Sequence, residues 1–217
     1  MIRAPSVLIP GGQGRLSFLA HSAGAIIVRI ALTSKVLRPA LKCLHLFVSL
    51  GSPHLGTLYG ASGLVRTGMW AMKRWTKSQL LEEIGMTDAS HPRDSLLCWL
   101  SRQPGLEYFR HVVLVSADKD GYVPPQSARV QMCDAAIRDA RRGVAHGQIV
   151  CDMAQSVLGP ISDETLYRLH LWGGGRQAAG GGGGGMDEYI GRAAHISMMD
   201  SPSLVCLLLC TLLDLIR

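Results

Sequence analysis

Apolar residues cluster into short runs separated by turn-forming stretches, and the alternation of run types carries most of the fold. Leu16 to Ala20 reads as a buried strand. Ala23 to Thr33 follows as a helix apolar on nearly all sides, which predicts cover on both flanks. Leu44 to Leu50 is the next strand, ending in the turn-rich Gly51-Ser52-Pro53-His54-Leu55-Gly56. Val112 to Val115 is a further short strand, Ser127 to Ala140 an amphipathic helix, and Leu166 to Trp172 a last strand. Leu204 to Ile216 is strongly apolar but shorter than the roughly 20 residues of a membrane span, and reads as a buried closing helix. Strands alternating with helices predict an α/β fold with an open, mostly parallel sheet.

Two stretches break the rhythm. Between Thr57 and Tyr108 the pattern is helical and irregular, with Trp70, Trp75, Trp99, Met69 and Met72 interleaved with Arg66, Lys73, Arg74 and Lys77. It reads either as a helical cap over 57–108 or as helices packed on the sheet with the tryptophans in the core. Residues 173–186 hold a glycine run with no lysine and no fixed phosphate-loop spacing, and read as a disordered insertion.

Composition narrows the class further. The 217 residues suit one domain, with 47% apolar residues. The net charge of +6 comes from scattered basic residues, whereas a nucleic-acid surface needs them gathered into a patch, so no nucleic-acid partner is expected. Cys43, Cys98, Cys133, Cys151, Cys206 and Cys210 form no C-x-x-C pair and no zinc spacing. A reduced, intracellular and cytoplasmic protein is the simplest account, with a secreted disulfide protein as the alternative. The stretch Met1 to Pro10, broken by two prolines, does not read as a signal peptide. Peripheral membrane contact through the cap and the closing helix is a minority reading.

The candidate chemistry lies between the first strand and the first helix, in Ala20-His21-Ser22-Ala23-Gly24. A serine at a sharp strand-to-helix turn needs small residues two positions away on either side, and Ala20 and Gly24 supply them. The plainer reading is a small polar residue at an ordinary helix N-cap. A serine hydroxyl needs a base within reach, and the base needs an acid to hold its tautomer. In the chain order Ser, Asp, His, three histidines remain: His146, His170 and His195. His146 lies in a polar stretch between helices, and His170 sits inside the predicted last strand. His195 falls after the last strand and before the closing helix, and is favoured. Asp118 and Asp120 both follow the Val112 strand. Asp120, stiffened by Gly-Tyr-Val-Pro124, is favoured as the acid, with Asp118 as a solvated turn residue.

Several segments together resemble the serine esterase family of lipase-like α/β-hydrolases. They are Phe18-Leu-Ala-His-Ser22-Ala-Gly24, Ser52-Pro-His-Leu-Gly-Thr-Leu-Tyr59, Tyr108-Phe-Arg-His-Val-Val-Leu-Val115, Tyr122-Val-Pro with Ser127-Ala-Arg129, and Ile190-Gly-Arg-Ala-Ala-His195-Ile. The likeness is closest to the C-terminal esterase domain of the proteins called "family with sequence similarity 135". It implies Ser22 as nucleophile, Asp120 as acid, His195 as base, the Ala23 N–H in the oxyanion hole, a carboxylic or lipid ester as substrate, and no metal or organic cofactor. His54 is expected to be structural or pocket-lining. Two departures stand out. Ala20 replaces the usual first glycine, and the stretch before Leu16 is too short for the strands that precede the nucleophile in this fold. A single partial domain over 1–217 is therefore expected, with one sheet edge open and the second oxyanion donor lacking. A non-catalytic interaction module is the alternative function.

Overall fold

The computed structural model describes residues 14–59, 78–158, 166–172, 195–196 and 198–216. Four strands form one parallel sheet in sequential order: β1 (Leu16–His21), β2 (Leu44–Leu50), β3 (His111–Ala117) and β4 (Leu166–Leu171). All three pairings are parallel, so every strand points its carboxyl end the same way. The predicted α/β architecture with a mostly parallel sheet and flanking helices is what the chain adopts. β2 is buried at every position, which is why it reads as an unbroken apolar run rather than an alternating one.

Successive residues of β2 serve opposite layers. Phe47 belongs to a core with Phe109, Val112 and Leu114, completed by α1 (Gly24–Leu32), α3 (Leu96–Ser101) and α6 (Gly143–Leu158). Leu46, Val48 and Leu50 face the other way, onto Leu204, Leu208 and Leu212 of α7 (Pro202–Ile216). The core helices between successive strands pack on one face, and the closing helix covers the other. In the 57–108 region, α2 (Gln79–Ile84) precedes α3, whose Leu97, Cys98 and Leu100 join the first core. Trp99 is 42% exposed, while Trp70 and Trp75 lie outside the described residues, as does the glycine run.

Several expectations are corrected. α1 is not covered all round: Ala25, Ile26, Arg29 and Leu32 are buried, while Ile27 remains 57% exposed on the opposite face. Its helical period turns that face away from the sheet. The single helix from Ser127 to Ala140 is two short ones, α4 (Pro125–Arg129) and α5 (Asp134–Arg138). Val130, at φ +54°, ends α4 in the left-handed region. His146 is not in a polar stretch but buried inside α6, with its ring edge-on to Tyr59 at 4.9 Å. The strand expected to be buried over Leu16 to Ala20 is buried only at Ala20: β1 is the edge strand among the described residues, with Leu19 71% exposed.

The buried histidines give the fold a pH response. His54 is held well below the ordinary histidine range, first by burial and then by the neighbouring Arg29 charge. Burial alone lowers His146, whose ring nitrogens meet no partner among the described residues. Both stay neutral in the fold. Above the unfolded value of about 6.5, neither state binds the proton and the contribution is flat. Below it, the unfolded chain takes up protons that the folded chain refuses, and stability falls. The urea midpoint is expected to drop between pH 7 and pH 5, and His146→Leu is expected to shrink that drop. An unchanged drop in the variant would count against His146 as a contributor.

Candidate active site

Parallel strands open their carboxyl ends onto one rim of a sheet, where ligand sites form in open α/β folds. Ser22 follows β1 directly and takes φ +54°, a strained conformation for a residue with a side chain. Its amide donates to the Leu50 carbonyl at the end of β2, at 2.9 Å. Ala23 then opens α1 as its N-cap, and Ala20 is packed tightly at 6% exposure. The sharp turn at the serine is present, but only one of its two expected steric needs is: Ala20 is packed, whereas a Cβ at Gly24 would meet nothing within 4 Å.

Asp120 lies three residues beyond β3. One carboxylate oxygen, Oδ1, accepts the amides of Tyr122 at 2.9 Å and Val123 at 3.0 Å. These bonds fix the carboxylate within its own turn. The other oxygen, Oδ2, accepts from His195 Nδ1 at 2.7 Å. The Asp120 side chain is 1% exposed and that of His195 10%. A carboxylate only accepts, so the proton sits on Nδ1 and leaves Nε2 with its lone pair. Ser22 Oγ stands 2.9 Å from Nε2 and donates to it. An oxygen, an imidazole and a carboxylate from three distant segments thus form one hydrogen-bonded row.

The remaining candidates lie elsewhere. Asp118 is exposed, and its amide donates to Leu171 rather than serving the row. His170 is held in β4 with Nδ1 2.8 Å from Ser116 Oγ, and His146 is in α6. His54 is fully buried behind the rim. Arg29 Nη1 approaches His54 Nδ1 at 3.5 Å, and a guanidinium only donates, so His54 carries its proton on Nε2 and gives it to Ser49 Oγ at 2.8 Å. Arg29 also donates to the Leu100 carbonyl at 3.2 Å, and burial lowers its pKa to about 10. This cluster ties α1, β2 and α3 together beneath the elbow.

Two neighbours of the row were not singled out in the sequence. Gly51 ends β2 at φ +51°, and a Cβ there would stand 2.7 Å from Met198 Cε and 3.0 Å from Asp120 Oδ2. A side chain there would have to displace the end of Met198 and crowd the carboxylate, on a backbone that side chains rarely adopt, which explains a glycine opening the Ser-Pro-His-Leu-Gly loop. His21, immediately before Ser22, lies against His195 with ring centroids 4.7 Å apart. Its place next to a turn serine was the available signal, but a search for a base after the acid passes over it. Among the described residues, no cluster of His, Cys, Asp and Glu could hold a metal ion.

The fold is that of an α/β-hydrolase-like protein, with the row on the strand rim where such proteins carry their chemistry. The family described as "Putative serine esterase (DUF676)" matches residues 7–135, more than half of the chain, and the chain belongs to that family. Ser22 and Asp120 lie inside the matched stretch and His195 lies beyond it. No solved structure matches the chain.

Proposed function

We propose that the chain hydrolyses a carboxylic ester, with Ser22 as nucleophile, His195 as general base and acid, and Asp120 as the group that orients His195. The observation that carries this reading is the row Asp120–His195–Ser22, with contacts of 2.7 and 2.9 Å, ending at a serine held at φ +54°. As Ser22 Oγ bonds to the ester carbonyl carbon, its proton passes to His195 Nε2. The imidazolium so formed lies against the Asp120 carboxylate. The Ala23 N–H is the donor assigned to the developing oxyanion, since it follows the nucleophile at the start of α1. The tetrahedral adduct collapses as His195 returns its proton to the departing alkoxide, leaving an acyl-Ser22 ester. Water, deprotonated by His195, then attacks that ester. The carboxylic acid leaves and Ser22 recovers its proton. No metal or organic cofactor enters these steps.

A lipid ester is the favoured substrate class. An apolar groove of about 430 Å³ runs between β1 and α7, and its lining includes His21, Met198, Met199 and Leu209. That lining supports an acyl chain. Within the family we favour kinship with the C-terminal esterase domain of the "family with sequence similarity 135" proteins, on the segments quoted above. The six free cysteines favour a reducing, cytoplasmic setting. No helix among the described residues is long and apolar enough to cross a membrane.

The test is labelling with a fluorophosphonate, which phosphonylates an activated serine, followed by peptide mapping. A single adduct on Ser22 is expected, absent from Ser22→Ala. A folded protein that takes no label sinks the reading and leaves the non-catalytic module in its place.

A further inference from the structure

His195 meets the nucleophile across a sequence separation of 173 residues and the acid across 75. Its ring is held at both nitrogens, but Nε2 must release Ser22 Oγ during the reaction, leaving the ring one steady anchor at Asp120. A third anchor acts on the backbone. His21 Nε2 lies 3.0 Å from the main-chain carbonyl of His195. A carbonyl only accepts, so Nε2 carries the proton and donates. The two rings also lie against each other, tilted by 41°.

We propose that His21 is a positioning residue for His195, clamping the backbone of the base to the end of the nucleophile's own strand. The inference rests on the serine-hydrolase reading above. Its geometry has a simple logic. His21 is the last residue of β1 and Ser22 the next, so the clamp ties the base to the peptide unit that presents the nucleophile. Any shift of β1 carries nucleophile and base together, and their 2.9 Å contact is preserved. Asp120 fixes the rotation of the imidazole, whereas His21 fixes where the imidazole is mounted.

The clamp works best with His21 neutral. A charged His21 would set a cation 4.7 Å from the imidazolium that His195 becomes. The titratable groups facing His21 are His195, which when protonated disfavours a proton on His21, and the carboxylates of Asp120 and Asp200, which favour it. Burial is the largest influence and lowers the His21 pKa.

His21→Ala and His21→Gln separate positioning from mere packing, because glutamine keeps an N–H donor at comparable reach. The assay is hydrolysis of a p-nitrophenyl ester with thermal melting of each protein. In His21→Ala, kcat is expected to fall by up to about 100-fold, the scale of a small misplacement of reacting groups, with KM within about twofold of the parent. His21→Gln is expected to recover most of the lost kcat at an equal melting temperature. Full turnover in the alanine variant overturns the clamp, as does a loss that glutamine leaves unrepaired. If the folded parent itself neither hydrolyses the ester nor labels at Ser22, the hydrolase reading has failed and the clamp falls with it. If the parent is active and His21→Ala equals it, the clamp alone has failed.

Discussion

Ser22→Ala is expected to lower kcat by about 10⁶-fold, the scale seen when the nucleophile of a serine triad is removed. The reason is structural. The 2.9 Å contact to His195 Nε2 is the path by which the hydroxyl proton leaves as the oxygen attacks. Alanine removes both oxygen and proton and leaves His195 Nε2 without a nucleophile to serve, while Nδ1 keeps its bond to Asp120. The three side chains act as one device, so their losses should not add. His195→Ala is expected to cost about as much as Ser22→Ala, and the double variant about as much as either. Alanine keeps a Cβ at the same strained backbone, so the melting temperature should change little. Initial rates on a p-nitrophenyl ester, followed long enough to detect slow residual turnover, give the answer. A Ser22→Ala protein that still turns over at a tenth of the parent rate would remove Ser22 from the chemistry.

The largest effect on stability is expected from Phe47→Ala, at about 3–5 kcal/mol by urea unfolding. Phe47 is fully buried in the middle of β2. It meets the Phe109 ring at 5.3 Å and the His54 ring at 6.5 Å. Removing it opens a cavity where the sheet, the loop before β3 and the Arg29–His54–Ser49 cluster converge. A domain holds only about 5–15 kcal/mol in total, so the variant sits close to unfolding at 37 °C. Phe47→Leu fills much of the same space and is expected to cost clearly less. Equal losses from the two would mean that the aromatic edge contacts, rather than volume, dominate at this position.

Long apolar runs announced the sheet because central parallel strands are buried on both faces. β2 was legible residue for residue for that reason, and the elbow was legible from a serine set between a short apolar strand and an apolar helix, with the small Ala20 packed before it. Elements set by distant contacts were not. Val130 is β-branched at positive φ, against local preference, and is held there by burial in the first core. Nearby, Ser127 Oγ accepts the Leu55 amide at 3.0 Å. No local signal could split that helix. The helix α6 was hidden by its glycines. Gly143 lies so close to the Ala136 carbonyl that no Cβ fits, so a residue that argues against helix marks a close helix approach. The apolar positions Ala145, Ile149 and Met153, each four apart and all buried, were the pattern that outweighed it. At the site, chain order narrowed the candidates, the stiff turn after Asp120 and the place of His195 beyond the last strand chose among them, and the same order hid His21, whose contact is with a backbone carbonyl.

The spacing along the chain of the three side chains in the row has a use beyond chemistry. Residues separated by 173 and 75 positions come within hydrogen-bond reach only when the chain has closed its largest loops. Local helices can form and strands can pair pairwise without assembling that row, because loop closure is the costliest part of such contacts. On the serine-hydrolase reading, the reactivity of one hydroxyl then reports on the topology of the whole chain. The fraction labelled across a urea titration would count molecules with every crossover in place, while circular dichroism counts helix whether or not the ends of the chain have met. The gap between the two curves would measure how far secondary structure survives the loss of long-range order.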